Sequence, residues 1–364
     1  MINAEKQIAE YLTKVDDGKD YQLQILRKFD NSLIDISTLA GNIQHNTSML
    51  DNPAKLTFYV QKDRAEILNT IQNGDMVIYK KDGYGLFKGY VFTVGTDATQ
   101  VFKITAYDQT RYLKNEETIL LKDLTVSQIF ERLCIRHQLN YKVVTPIDYI
   151  PPAKIYQNKT LYSILRECLS LAENDSAKKG TPVKYMIRDN FGVLELLSIE
   201  TLKTNIVIGK ESLLSSYQFE TSIDKGTYTQ IKVVKNTNKS AKEQNTKNTQ
   251  VYLMKDTPSQ KQWGILQKVV EADENMNEAQ ANQLAQNWLK ATCRETKTLS
   301  LSALGLFGMN AGVGFRLQIP ELNANLDMYI LEVTHNYQNK FHTMDLTVNA
   351  NDIEVYFKWI MPID

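Results

Sequence analysis

Four histidines (His45, His137, His335 and His342) and three cysteines (Cys134, Cys168 and Cys293) are the side chains best suited to hold a metal or carry nucleophilic chemistry. A metal site needs about three or four converging ligands, usually with one closely spaced pair. Only His335 and His342 are near each other, across a turn expected at Gln338-Asn339-Lys340, and no Cys, Asp or Glu has an evident reason to join them. They read as polar residues on strand ends. The cysteines are odd in number, far apart and without CxxC spacing, which excludes a disulfide framework or zinc site and fits a reducing compartment. Cys134 and Cys168 fall on apolar helix stripes, the place of small buried hydrophobes and not of nucleophiles.

Other catalytic signatures are equally absent. No GxSxG elbow occurs. The glycine-rich stretch from Gly305 to Phe315 lacks the Lys-Ser/Thr of a phosphate loop and precedes a strand, so its glycines serve bends. Asp16-Asp17 and Glu116-Glu117 sit in hydrophilic, turn-like stretches and read as solvated. The chain therefore reads as a non-enzyme, with no catalytic, cofactor-binding or metal-binding residue. Strand tyrosines (Tyr59, Tyr79, Tyr90, Tyr107 and Tyr329) allow a sugar-stacking surface, but strand packing or a protein interface accounts for them better.

The 364 residues imply about two or three domains at roughly 150 residues each. With 43% hydrophobic and 23% charged residues the chain is globular in composition, which excludes wholesale disorder. Its 42 basic and 42 acidic residues cancel, against the basic excess of a nucleic-acid binder. The opening MINAEKQIAEYLTK carries charge throughout, unlike a secretory signal. Thr298 to Phe315 is uncharged, but Leu299, Leu301 and Ala303 alternate with Ser300 and Ser302, a strand period and not a membrane helix.

Asn3 to Val15 is expected to be a short amphipathic helix. Strand signals follow to about Leu113: Leu23 and Ile25, Leu56 to Val60, Met76 to Tyr79, Leu86 to Val94, and Val101 to Asp108, with a tight turn at Gly83. After Leu124, Thr125 and Gln128 form a capping box for a helix burying Ile129, Phe130 and Leu133. A second helix starts at Thr160, and Tyr185 to Ile187 with Val193 to Ile199 make a hairpin. Strands return at Ile206 to Ile208, Tyr217 to Phe219 and Gln230 to Val234. Asn236 to Gln250 is a polar run expected to be mobile, and Asn277 and Gln280 cap a third helix. The last strands are Thr298 to Leu304, Phe315 to Ile319, Met328 to His335 and Phe341 to Val348.

Read together, Gly74-Asp75-Met76-Val77, Phe87-Lys88-Gly89-Tyr90-Val91, Ile104-Thr105-Ala106-Tyr107-Asp108 and the helices TVSQIFERLC and TLYSILREC form a pattern. It resembles the phage tail hub proteins, the XkdQ-like and late-control-protein-D-like relatives of the central baseplate hub of T-even phages. Tyr329 to His335 is similar to a strand of the second tube domain of that family. The resemblance covers nearly the whole chain, though the N-terminal helix is outside it and no lysozyme- or peptidase-like extension is seen.

The resemblance implies an α+β, mainly β fold: two similar antiparallel β-barrel tube domains flanking a small α+β module. The expected domains are 1–118 (N-terminal helix and first barrel), 119–205 (module) and 206–364 (second barrel, interrupted by 236–296). The implied function is a structural baseplate hub of a phage tail or a tail-like injection or bacteriocin particle. Its partners would be two further copies in a trimer, a tail tube protein above, a spike below, other baseplate proteins and the tape measure. It would assemble in the bacterial cytoplasm, with no nucleic-acid specificity, membrane span or cofactor. The alternatives are a tail-associated peptidoglycan hydrolase and a carbohydrate- or receptor-binding tail protein.

A trimer offers six near-equivalent surfaces only if each chain carries the same fold twice. Five segment pairs express this expectation: Gln44–Met49 with Gln218–Ile223, Leu56–Val60 with Ile231–Val234, Gly74–Val77 with Gly314–Leu317, Tyr90–Val94 with Tyr329–Val333, and Lys103–Ala106 with Asp345–Val348.

Overall fold

Leu23, Ile25, Leu56, Phe58, Val60 and Ile104 alternate in sequence with more exposed or polar neighbours, and in the computed structural model all six are buried on strands. The structure describes residues 21–50, 52–61, 71–96, 98, 101–224, 226–236, 249–272, 276–338 and 341–350. The expected helix at Asn3 to Val15 and the bulk of the polar run at Asn236 to Gln250 lie outside them.

The strands are β1 (Tyr21–Leu26), β2 (Leu33–Asp35), β3 (Ala40–Ser48), β4 (Lys55–Gln61), β5 (Met76–Lys81), β6 (Tyr84–Thr96) and β7 (Val101–Tyr107). After β8 (Glu116–Leu121), α1 (Val126–Arg136), β9 (Tyr141–Val143), β10 (Lys154–Thr160), α2 (Leu161–Lys178), β11 (Tyr185–Asp189) and β12 (Leu194–Ser198) form the middle of the chain. Then come β13 (Lys203–Gly209), β14 (Leu214–Ser222), β15 (Gln230–Asn236), β16 (Thr249–Lys255), α3 (Thr257–Trp263), β17 (Gln267–Glu271) and α4 (Glu278–Thr292). The chain continues through β18 (Thr296–Leu304), β19 (Gly314–Ile319), β20 (Ala324–Gln338) and β21 (Phe341–Asn349).

Two compact units result, one from residues up to 218 together with 300–349, the other from 219–299. In the first, β3-β4-β7-β6-β5-β1 lie side by side in that order, and so do β14-β18-β21-β20-β19-β13. The two orders coincide strand for strand. Agreement extends to single residues on the two inner strands. Val91 faces Ala106, a bulge follows at Phe92, and Thr93 and Val94 face Thr105 and Ile104. Ile330 likewise faces Val348, a bulge follows at Leu331, and Glu332 and Val333 face Thr347 and Leu346. An extra residue unpairs a ladder locally and bends the strand, so a bulge at the same place in both copies is part of the repeated geometry. β3 and β14 are both nine residues long, with Gln fifth, Thr eighth and Ser ninth.

Two of the expected pairings need correction. Ile231 to Val234 is not the counterpart of Leu56 to Val60: it lies on β15, which pairs with β16 and β17 in a separate three-stranded sheet. The counterpart of β4 in strand order is β18, whose Leu299, Leu301 and Ala303 are buried in alternation. Gly74 is not the equal of Gly314. Met76 opposes Tyr90 and Gly314 opposes Tyr329, so the true match is shifted by two residues. The copies also differ at one end, because β1 runs antiparallel to β5 while β13 runs parallel to β19. Among the described residues the strand path of this large sheet is open, ending at β2 and β14.

The helices of the middle segment follow their capping signals. Thr125 accepts from the Gln128 amide, and the Gln128 side chain accepts from the Thr125 amide. Thr160 caps α2 through the Ser163 amide. Phe130, Leu133, Ile164 and Leu165 meet in a core with Leu194 and Leu196 of β12. Each such buried side chain contributes about 1.5–3 kcal/mol. In the second unit α4 buries Ala281, Ala285 and Leu289 against Ile231 and Val233 of β15. No helix among the described residues is long and apolar enough to cross a membrane.

Candidate functional site

His335 and His342 sit near the ends of their strands, inside the fold. His335 and His342, on β20 and β21, are buried, and so is His45 on β3, which no local spacing joins to them. β3 pairs antiparallel with β20, and His45 and His335 are direct register partners in that pairing. His335 Nε2 lies 3.0 Å from the Met309 carbonyl and its Nδ1 lies 2.9 Å from His342 Nε2. A carbonyl only accepts, so the neutral His335 ring donates through Nε2 and accepts at Nδ1, and His342 donates through its Nε2. Tyr337 stacks on His342 at 4.2 Å, and Phe87 meets His45 edge-on at 5.6 Å. Burial, and then the neighbouring His342, pull His45 down to about 4, so it stays neutral. His137 stands apart at the end of α1, beside Glu117. Among the described residues no cluster of three His, Cys, Asp or Glu side chains is arranged to hold a metal.

The glycine-rich stretch packs against this cluster as well as bending. A Cβ on Gly305 would stand 2.1 Å from the His342 ring, so only glycine fits there.

The seam between β3 and β20 has a second, polar face. Gln44 donates to Asn336, Asn46 to Thr334 and Ser48 to Glu332, each at 2.9 Å. Asn336 in turn donates to Asp345 at 2.9 Å, and Ser302 donates to the same carboxylate at 2.7 Å. A side-chain hydrogen-bond ladder thus crosses β3, β20, β21 and β18. One copy of the repeated strand set is tied to the other by backbone pairing, buried rings and this ladder.

Cys134 and Cys168 are buried, as their apolar stripes predicted. Burial, with Glu131 nearby, pushes the Cys134 thiol up to about 12, and burial also raises Cys168. Neither is a nucleophile at neutral pH. The five strand tyrosines are buried or half-buried, none exposed. Tyr79 stacks with Tyr21 at 5.4 Å, Tyr59 lies under Lys103, and Tyr329 donates to Glu200 at 2.7 Å. They pack strands and do not form an open stacking surface.

A carboxylate pair, Asp108 buried and Asp189 half-buried, was not read from the sequence. Asp108 and Asp189 line a cavity of about 550 Å³ with His45, Phe87 and Phe307. Burial raises both, and the charge of Asp189 raises Asp108 further. Asp108 accepts from the Thr110 amide at 3.0 Å and caps the short helix Gln109–Lys114. Asp189 accepts from the Gly192 amide at 2.6 Å in the β11–β12 turn. One oxygen of each carboxylate is engaged in shaping the backbone, and the distance in sequence hid their proximity.

The sequence model of the YqbQ-like family matches residues 43–349, and the chain belongs to that family. It is 25% identical to the uncharacterized protein YqbQ of Bacillus subtilis, over 77% of this chain and 82% of that one. It is 24% identical to the phage-like element PBSX protein XkdQ of the same organism, over 79% and 85% respectively. Among solved structures, the 43 kDa tail protein of prophage MuSo2 from Shewanella oneidensis shares the fold with a TM-score of 0.62. It is 11% identical, with 91% of this chain and 98% of that one covered.

Proposed function

We propose that this chain is a structural protein of a phage tail or phage-tail-like particle, the baseplate hub that joins a six-fold tail tube to a three-fold spike as a trimeric, pseudo-six-fold ring. The observation that carries this reading is the repeated strand order with its shared bulge in the two inner strands. Three copies of a twice-repeated unit present six like surfaces upward while keeping three-fold symmetry downward. The kinship with a PBSX-element protein and a prophage tail protein supports the same setting. In this reading 1–118 and 206–364 are the two tube domains, each closing into a barrel in the assembled ring, and 119–205 is the module between them. The interruption of the second runs from the end of β14 to the start of β18.

The hub works without catalysis, since its specificity resides in shape and sheet edges, with tube and spike proteins as partners. Electron microscopy of the assembled particle tests this: three copies of this chain per ring are expected at the junction of tube and spike. A ring of six copies, or a location away from that junction, overturns the proposal.

A further inference from the structure

We infer that the cavity lined by Asp108 and Asp189 is a binding site for a small organic ammonium, a primary amine carried on an apolar or aromatic body. This inference goes beyond the hub reading and does not depend on the number of copies in a ring.

The cavity, of about 550 Å³, lies within the first compact unit. Sites for small organic molecules have volumes of this order. Three parts of the chain build it. The first repeat contributes His45 on β3 and Asp108 just after β7. The middle segment contributes Met186 and Asp189, both on β11, and the loop between β18 and β19 contributes Phe307.

The two carboxylates lack a countercharge. Asp108 is 3% exposed, and the Thr110 amide and hydroxyl both donate to its Oδ1. Asp189 accepts from the Gly192 amide and, at 3.3 Å, from the Gln109 side chain. All of these donors are neutral. Among the described residues neither carboxylate belongs to an ion pair. Arg188 and Lys203, on the cavity wall, are held by Glu195 and Asp327, and Lys114 is in no ion pair with either acid. Lys88 acts on Asp189 through its charge alone. Burial therefore favours the protonated acids, and the charge of Asp189 adds to this at Asp108. An ammonium entering the cavity would supply the missing positive charge and donate charge-assisted hydrogen bonds.

His45 gives a second, independent indication. It is 4% exposed and lines the cavity, and its ring nitrogens have no hydrogen-bond partner among the described residues. Buried polar groups are normally paired, as His335 is through both of its nitrogens. A neutral imidazole presents one acceptor nitrogen, and an ammonium has three donors to share between it and the acids.

The rest of the wall selects an organic body over a bare ion. Tyr84 and Phe307 meet edge-on at 6.2 Å, and Phe87, Leu113 and Met186 add apolar surface. Aromatic faces attract an ammonium and pack the carbon atoms attached to it. Among the described residues no three His, Cys, Asp or Glu side chains are arranged to hold a metal, so His45, Asp108 and Asp189 do not converge on a single ion.

Methyl-labelled methionine places the test at the cavity, because Met186 lines it. The Met186 methyl resonance is assigned by its loss in Met186→Leu and followed in the full chain during titration with phenethylamine, putrescine, 2-phenylethanol and 3-phenylpropionate. A saturable shift with an amine is expected. Of the aromatic probes, 2-phenylethanol should bind at least about tenfold more weakly than phenethylamine, the loss of one hydrogen bond to a charged group, and 3-phenylpropionate should not bind. Asp108→Asn should weaken phenethylamine by a similar factor and leave 2-phenylethanol unchanged.

No saturable shift with either amine overturns the proposal. Equal affinity for phenethylamine and 2-phenylethanol overturns it as well, since the acids would then take no part. Equal losses for both in Asp108→Asn do the same. Should that variant fail to fold, the comparison of amine with alcohol in the native chain decides the matter.

Discussion

His45 and His335 face each other across the β3–β20 seam with ring centroids 6.1 Å apart, so the strand pairing that joins the two repeats among the described residues has imidazoles buried in it. His335 uses both of its nitrogens in a fixed donor–acceptor order.

The contribution of His45 to stability should therefore fall in mild acid, against the opposite trend of Asp108 and Asp189, whose raised pKa values favour the folded chain as pH falls. His45 is pulled from its ordinary 6.5 to about 4 in the folded chain, so between those values the unfolded chain binds a proton that the folded chain refuses. Its contribution is complete above pH 6.5 and is lost as pH falls towards 4, with a slope of at most about 1.4 kcal/mol per pH unit for one proton. Urea unfolding of the native chain and of His45→Phe, the residue found at the matching position Phe219, should differ across that range by this His45 contribution. An unchanged slope in the variant would assign the decline to other groups.

The capping box of α1 should be worth about 1 kcal/mol, the usual cost of replacing a threonine cap by alanine. Thr125→Ala removes the acceptor for the Gln128 amide, which lies 3.2 Å away, while touching no core residue. Urea denaturation of the chain should show a lower midpoint with unchanged slope.

Thiol labelling should separate the three cysteines. Cys134 and Cys168 are buried and held as thiols, so a thiol reagent at neutral pH should modify Cys293 first and the other two only on unfolding. Equal labelling of all three in the native protein would contradict their place in the core of the middle segment.

Local signals made part of this fold legible. Thr125 with Gln128, and Asn277 with Gln280, announce their helices because a capping box is a four-residue event. Tyr90–Val94 and Lys103–Ala106 could be matched to Tyr329–Val333 and Asp345–Val348 residue by residue, because both copies preserve the same alternation around the same bulge. The strand β15 misled because Ile231 and Val233 alternate just as Leu56 and Phe58 do, and alternation says that a strand has a buried face but not which sheet supplies the cover. β16, α3 and β17 went unread for a related reason: short elements whose exposed faces carry Val251, Leu253 and Val269 have no clean amphipathic period. The histidine cluster and the Asp108–Asp189 pair depend on contacts between distant segments, which no local spacing encodes.

Gly305 offers the most direct test of the cluster's packing. Its amide donates to the His342 carbonyl at 2.9 Å, and a Cβ there would lie 2.1 Å from the His342 ring. Gly305→Ala must therefore displace the ring that donates to His335, or move the backbone that holds it. Overpacking of this kind costs on the order of 1–3 kcal/mol. His342→Ala alone should also destabilise, since it removes a ring that stacks on Tyr337. The double variant discriminates the cause: with the ring gone, the added methyl has space, so Gly305→Ala should cost far less in the His342→Ala background than in the native one. Strictly additive losses in such a cycle would mean that the alanine acts through the backbone alone and that the ring does not define the space at Gly305.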